Sequence, residues 1–149
     1  MTRLLTLVVL GLAIASTLCE AETKRIHVTA KVIETTLIGK PDKPKIGDQR
    51  ITSVNLFDDS GKQVGIGAGV CTLFIISPQP QDTLQQCLLT AAFDEEGDII
   101  FGGITPLPEI GAVSQLGILG GTEKFRNARG EATLVITDTG DIDSTFELE

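Results

Sequence analysis

The chain has 149 residues, of which 42% are hydrophobic and 21% are charged, and this size and composition suit a single globular domain. Aromatic residues make up only 4%, Trp and Tyr are absent, and the formal net charge is -8, which argues against stacking on bases and against binding to nucleic-acid phosphates. One His and three Cys without a Cys-x-x-Cys pair do not favour a structural zinc site, and we expect neither a metal nor a cofactor.

The first 21 residues have the pattern of a secretory signal peptide. Arg3 precedes an apolar run, Leu4 to Ala15, and a polar stretch then ends at Ala21. The run is shorter than the roughly 20 apolar residues that a membrane-spanning helix needs. We expect cleavage after Ala21, with cleavage after Ala15 or lipid modification of Cys19 as alternatives. The expected product is a secreted protein, extracellular or periplasmic, with one domain over residues 22–149.

The remaining chain is divided by turn residues at short and fairly even intervals. The segments between the turns are rich in Val, Ile, Thr and Phe, and none shows a sustained 3.6-residue apolar period, so strands are favoured over helices. We predict eight strands near residues 25–37, 49–57, 63–76, 83–93, 98–104, 112–119, 129–137 and 142–148.

Eight consecutive strands joined by short loops predict an all-β fold, an antiparallel up-and-down barrel of the calycin or lipocalin-like type. Closure removes the exposed edges that an open meander would leave, although a β-sandwich is an alternative. An eight-stranded barrel is just wide enough to be filled by side chains or to hold one small ligand in a small central cavity. An outer-membrane barrel needs aromatic girdles, so we expect no stable membrane insertion of a chain without Trp or Tyr.

Two cysteines remain once the signal peptide and Cys19 are removed. Cys71 and Cys87 form an even pair in an oxidising compartment. A hairpin centred on Gln79 would place them opposite each other on the third and fourth strands, with Cβ atoms about 4.5 to 5.5 Å apart. We predict a disulfide between them, and buried free thiols or a pocket thiol are the alternatives.

Glu34 is the side chain of the first strand with the most interesting chemistry. On a regularly alternating strand it shares a face with Val32 and Thr36. If that face lines the interior, the buried carboxylate suits general acid–base catalysis or stabilisation of a carbocation. If the face points outward, Glu34 is an ordinary surface carboxylate, and the pattern alone favours this second reading.

Motifs between residues 47 and 130 resemble the superfamily of allene oxide cyclases and dirigent proteins. The resemblance implies trimeric barrels with an apolar cavity, which hold a reactive intermediate in one conformation so that ring closure or coupling gives one stereoisomer. The matching motifs are Gly47-Asp48, Leu56-Phe57-Asp58, Val64-Gly65-Ile66, Ala68-Gly69-Val70-Cys71, the run from Gly97-Asp98-Ile99 to Gly102-Gly103 and, as the most specific, Gly120 to Gly130 with its Gly-Gly-Thr, Phe-Arg and Ala-Arg-Gly elements.

The resemblance also implies site residues. Glu34 matches a first-strand Glu that is associated with the chemistry of the cyclases, although Thr36 stands where they have Asn. Their pocket Cys matches Cys71. Their pocket Asn falls on Val54, or on Asn55 after a slip of one residue.

From these observations we predict a homo-oligomeric, trimeric barrel that binds a small hydrophobic molecule and steers its cyclisation or coupling, with a non-catalytic carrier or a structural barrel as alternatives. The predicted catalytic residue is Glu34. Arg129 matches the Arg of the dirigent Ala-Arg-Gly element, for which a structural salt bridge at a strand end is the alternative. The predicted ligand-binding residues are Val32, Thr36, Asn55, Cys71, Leu73, Phe101 and Arg129.

Overall fold

The computed structural model describes residues 23–149, and the predicted signal peptide at residues 1–21 lies outside the described residues. Each strand pairs antiparallel with the next, and the last pairs with the first, so the sheet is a closed barrel. The strands are β1 (Lys24–Ile38), β2 (Gln49–Phe57), β3 (Gln63–Ile75), β4 (Leu84–Phe93), β5 (Gly97–Pro106), β6 (Val113–Gly121), β7 (Gly130–Ile136) and β8 (Ile142–Leu148).

The structure confirms the predicted up-and-down barrel, and the alternative of a β-sandwich is wrong. The predicted bounds of β2 and β8 agree with the structure, and those of the other strands differ by at most two residues at either end. Within residues 23–149 no helix is long and apolar enough to cross a membrane.

Where a strand is regular, every second side chain points into the barrel, as the two-residue period of a strand requires. In β8, for example, Ser144, Phe146 and Leu148 are buried while the intervening Glu147 is exposed. The inward side chains of the strands pack against one another in the interior and form one continuous hydrophobic core.

One end of the barrel, where β1 begins and β8 ends, is filled by aromatic rings, and we call it the closed end. A short 3-10 turn at Glu123–Phe125 brings Phe125 into the barrel, where it is 3% exposed. The Phe93 ring centroid lies 5.7 Å from that of Phe125 and 6.1 Å from that of Phe146. These tilted and edge-on contacts are favourable arrangements for phenyl rings, and they make a packed floor.

The motif from Gly120 to Gly130, which resembles the dirigent signature, contains the turn that carries Phe125 into this floor. A side chain at Gly121 would collide with Phe125, since an added Cβ would stand 2.7 Å from the Phe125 Cβ. The Thr122 hydroxyl accepts a hydrogen bond from the backbone N–H of Asp98 at 2.9 Å. The motif therefore fixes the turn that carries the aromatic plug.

Strand β1 contains a β-bulge at Ile33. Val32 pairs with Val54 of β2 and Glu34 pairs with the adjacent Ser53, so Ile33 is an extra residue without a partner. An extra residue in one strand reverses the inward and outward alternation beyond it. The side chains of β1 therefore change phase halfway along the strand.

Cys71 of β3 and Cys87 of β4 are directly opposite each other, and a disulfide joins them. Both side chains point inward and are buried. The disulfide lies toward the other end of the barrel, where β1 ends and β8 begins, and we call this the open end.

Candidate ligand-binding site

The barrel encloses a cavity of about 490 Å³ between the aromatic floor and the open end. Small-molecule sites commonly have volumes of about 300 to 1,000 Å³. The deep wall of the cavity is apolar and is formed by Ala30, Val54, Leu56, Ala91, Phe101, Leu116 and Phe146. The space thus has the size and lining of a site for one small, mainly apolar molecule.

Two glycines of β3 make room for inward side chains of the neighbouring strands. Gly67 and Gly69 point inward between the bulkier rows of β2 and β4. A Cβ at Gly67 would stand 2.8 Å from Val54 Cγ2, so the close approach of these strands depends on the missing side chain.

The wall near the open end carries a polar network. Arg50 Nη2 donates a hydrogen bond to Gln85 Oε1 at 3.2 Å. Gln85 Nε2 in turn donates to Thr105 Oγ1 and to the carbonyl oxygen of Pro106, both at 3.1 Å. Gln85 and Thr105 are 4% and 5% exposed, so the amide of Gln85 is held in one orientation within the barrel wall.

The disulfide is adjacent to this network. Arg50 is the register partner of Cys71, and Cys87 Sγ lies 3.6 Å from Thr105 Oγ1. Both cysteines line the cavity. The covalent link therefore joins β4, which carries Gln85, to β3, which pairs with the β2 residue Arg50.

Arg50 has no counter-ion in residues 23–149, where none of the ion pairs includes it. Burial lowers the pKa of Arg50 from its ordinary value, because desolvation disfavours the charged form. A guanidinium nevertheless stays protonated in proteins. The cavity consequently has one fixed positive charge in its wall.

A smaller recess of about 110 Å³ adjoins the cavity beside the loop between β1 and β2. Arg50, Cys71 and Gln85 line both spaces, and Leu73 lines the recess alone. Leu73, predicted to bind ligand in the main cavity, therefore lies next to it instead.

Three of the predicted ligand-binding residues line the cavity. Val32 of β1 lies before the bulge, Cys71 faces inward from β3, and Phe101 of β5 forms part of the deep wall. The Phe101 ring contacts Phe146 edge-on, with centroids 5.1 Å apart, so it connects the wall to the floor.

Glu34 and Thr36 lie on the outside of the barrel. Both are exposed and neither lines the cavity. The bulge at Ile33 explains this, because the inward series continues from Val32 to Thr35, whose hydroxyl lies 3.5 Å from that of Thr52. The hypothesis that Glu34 faces the interior is therefore wrong, and its catalytic role loses its geometric basis.

Asn55 and Arg129 also lie outside the cavity. Val54 points inward, while Asn55 points away and its Oδ1 accepts a hydrogen bond from Gln63 Nε2 at 3.3 Å. Arg129 is exposed just before β7, and no ion pair within residues 23–149 includes its side chain. Neither residue can touch a molecule enclosed by the barrel.

Sequence analysis missed the polar network. The signal that could have revealed it is the predicted disulfide, because Gln85 lies two residues from Cys87 and so shares its face. Arg50 similarly shares a face with Thr52 and Val54 on β2.

The lining contains few groups for acid–base or metal chemistry. Among its members in the described part of the chain, Glu109 at the exposed rim is the one carboxylate. No group of three or more His, Cys, Asp or Glu in residues 23–149 is arranged to hold a metal ion.

Comparison with known proteins gives structural matches alone. No protein-family model and no curated protein sequence matches this chain. A pyocyanin demethylase is similar, with a TM-score of 0.73 and 29% sequence identity, and the match covers 85% of this chain and 100% of the demethylase chain. An exo-specific intermolecular Diels-Alderase has a TM-score of 0.68 and 15% identity, covering 85% of this chain and 97% of its own.

A Diels-Alderase from Streptomyces koyangensis is also similar, with a TM-score of 0.67 and 17% identity over 84% of this chain and 63% of its own length. These likenesses show a shared barrel fold. Neither an allene oxide cyclase nor a dirigent protein is among the structures named here.

Proposed function

We propose that the barrel encloses one small hydrophobic molecule and, by holding it in one conformation, steers its cyclisation or a related conversion. The observation that carries this proposal is the mainly apolar cavity of about 490 Å³ above a packed aromatic floor. Restricting a flexible substrate to a reactive conformation accelerates a reaction without a catalytic carboxylate in contact with it. The structural likeness to Diels-Alderases supports the same kind of barrel, although it extends to the fold alone.

Binding is tested with a matched pair of substitutions on β6. Ser114 points into the cavity, while the next residue, Gln115, is exposed outside. We expect Ser114→Phe to weaken binding of the uncharged probe N-phenyl-1-naphthylamine about tenfold or more, equivalent to roughly 1.4 kcal/mol of binding free energy, because the ring occupies the cavity. Gln115→Phe should leave the affinity of the probe unchanged.

The measurement is a fluorescence titration of each purified variant. Wild-type protein that fails to bind the probe, or equal effects of the two substitutions, would contradict binding inside the barrel. A second experiment distinguishes a catalyst from a non-catalytic carrier. Apolar compounds that copurify with the protein are extracted, and the stereochemistry of their reaction products is compared in the presence and in the absence of the protein. Unchanged product ratios would identify a carrier.

A second candidate function is conversion of a pyocyanin-like aromatic molecule. It is favoured by the 29% identity to a pyocyanin demethylase whose whole length matches this chain. Pyocyanin is a flat tricyclic compound of a size that suits the cavity. Equilibrium dialysis with pyocyanin, followed by mass spectrometry for loss of its methyl group, tests this candidate. Absence of binding would eliminate it.

We also propose that the barrel self-associates as a trimer. The scarcity of charge on the outer surface of β2 to β5 supports self-association. These four strands carry two charged residues, and since Arg50 points inward, Asp98 is the one charge on their outer side. Ile66, Leu88 and Ile104 are each more than half exposed there. An extended uncharged surface of this kind is typical of an interface. Light scattering should show an oligomer that Leu88→Lys dissociates and that Glu131→Lys, on the charged side, leaves intact.

Export is a further part of the proposal. It is supported by the signal-peptide pattern of residues 1–21 and by the disulfide, which is typical of an oxidising compartment. Sequencing the amino terminus of the protein recovered outside the cytoplasm should find a chain that begins at Glu22. Recovery of the intact chain from the cytoplasm would refute export.

A further inference from the structure

The guanidinium of Arg50 is a cation inside a mainly apolar space, without a charge to balance it. Carboxylates are present nearby, because Glu109 lines the rim and Asp48 lines the adjoining recess. Neither forms an ion pair with Arg50, and the Asp48 carboxylate instead accepts a hydrogen bond from the Lys45 backbone N–H at 2.8 Å. A partly desolvated cation gains most from an anion that enters its site.

The guanidinium of Arg50 is also restrained by a hydrogen bond and has further N–H groups that can donate hydrogen bonds to a ligand. One of its five N–H groups bonds to Gln85. Among the described side chains no buried nitrogen or oxygen lacks a hydrogen-bond partner, so the guanidinium nitrogens of Arg50 without a protein partner are not fully buried, and Arg50 lines both the cavity and the adjoining recess. Gln85 is itself fixed by Thr105 and Pro106, and this second link restrains the guanidinium.

We propose that Arg50 is the anion-recognition group of the cavity, and that the ligand is an amphiphilic organic anion with a carboxylate or sulfonate at the open end and an apolar body directed toward Phe101. This inference rests on the proposed function, since it names the class of molecule that the barrel encloses. Gln85 is the positioning residue. A planar guanidinium matches the two oxygens of a carboxylate or sulfonate, and charge-assisted bonds of this type are about twice as strong as neutral ones.

The dimensions of the cavity agree with such a ligand. Arg50 and Leu56 both line it from β2, and their separation of six residues corresponds to about 20 Å along the strand. The fixed charge of Arg50 therefore lies toward the open end and the apolar deep wall lies toward the closed end, while Ile136 and Ile142 add apolar surface near the open end. A ligand with one anionic end and one apolar end would satisfy both.

A pair of fluorescent probes separates recognition of the charge from apolar binding. 1-Anilinonaphthalene-8-sulfonate and N-phenyl-1-naphthylamine share their ring system, and only the first carries a sulfonate. We expect Arg50→Gln to weaken binding of the sulfonate about tenfold or more, and binding of the uncharged probe less than about twofold. Arg25→Gln is the matched control, because Arg25 is exposed on the outside of β1 and should leave both affinities unchanged.

A second variant retains Arg50 and supplies the missing counter-ion. Gln85→Glu places a carboxylate beside the guanidinium, so binding of the sulfonate should fall while binding of the uncharged probe persists. Thermal unfolding of each variant shows that the barrel is intact.

The outcomes distinguish this inference from the function on which it rests. Equal losses of both probes in Arg50→Gln, or an unchanged affinity for the sulfonate, would overturn anion recognition while leaving a cavity that binds apolar molecules. Failure of wild-type protein to bind either probe would overturn the proposed function and the anion site together.

Discussion

The two ends of the barrel are built from the same eight strands but from different inward side chains. At the closed end, large apolar side chains fill the interior, namely Val28, Ile99, Phe125, Phe146 and Leu148. Toward the open end the lining includes small or polar inward side chains, namely Thr35, Thr52, Gln85, Thr105 and Ser114, beside the apolar Leu134, Ile136 and Ile142. The difference shows that a single sheet can provide a hydrophobic core in one half and a binding site in the other.

This comparison implies a division of roles along the barrel axis. Large apolar side chains pack against one another at the closed end, so we expect stability to depend mainly on that half. The open end has less to pack against, and the disulfide and the Arg50–Gln85–Thr105 network restrain it instead. Substitutions that are chemically similar should therefore have different effects in the two halves.

The largest expected effect is that of removing the aromatic plug. Phe125→Ala should lower the free energy of unfolding by about 3 to 5 kcal/mol, because it leaves a void among Phe93 and the neighbouring core. Leu134→Ala is the comparison at the cavity, because the half-buried side chain of Leu134 already faces open space. We expect it to lower the free energy of unfolding by about 1 kcal/mol. Denaturant unfolding measures both values, and equal losses would contradict the division of roles.

The next largest effect concerns the disulfide at the open end. Replacing both Cys71 and Cys87 by Ala should cost about 3 kcal/mol, because the link closes a loop with a sequence separation of 16 residues. Wild-type protein unfolded under reducing conditions should lose a similar amount, which provides an internal control. A loss below about 1 kcal/mol in both experiments would show that packing alone holds the open end.

The fold could be predicted because its signals are local and repeated. Turn residues such as those at Asp58–Gly61 and Asp138–Asp141 occur at regular intervals, and Val, Ile and Thr between them favour strands. The hairpin centred on Gln79 predicted the register of β3 with β4 and placed Cys71 opposite Cys87, and the structure confirms both the pairing and the disulfide. Errors of one or two residues at strand ends did not alter this architecture.

The site was harder to predict, because it depends on which face of each strand points inward. One extra residue, Ile33, reversed that choice for the second half of β1 and moved Glu34 outside. Nothing in the local sequence marks this bulge, because it arises from the pairing with β2. Arg50 was overlooked for a different reason: charged side chains are usually exposed, and its inward direction follows from its alternation with Val54.

The smallest expected effect lies on the outer side of the closed end, where His27 joins β8 and the turn between β2 and β3. Hydrogen bonds to Asp59 and Asp143 raise the pKa of His27, and partial burial opposes this shift. Because the folded state binds the proton more tightly, the stabilisation is complete below the unfolded pKa of about 6.5 and is lost as pH rises through the higher folded value.

The wild-type protein should therefore lose stability relative to His27→Gln as the pH rises above about 6.5 and through the higher pKa of the folded state. The difference should stay below about 1 kcal/mol, since all three side chains are at least one-third exposed and solvent screens their charges. Unfolding free energies of the two proteins at several pH values measure it, and parallel pH profiles would show that His27 contributes nothing through its charge. A change in affinity for the uncharged probe over this range would instead connect the outer side of the closed end to the cavity, which the separation of the two ends argues against.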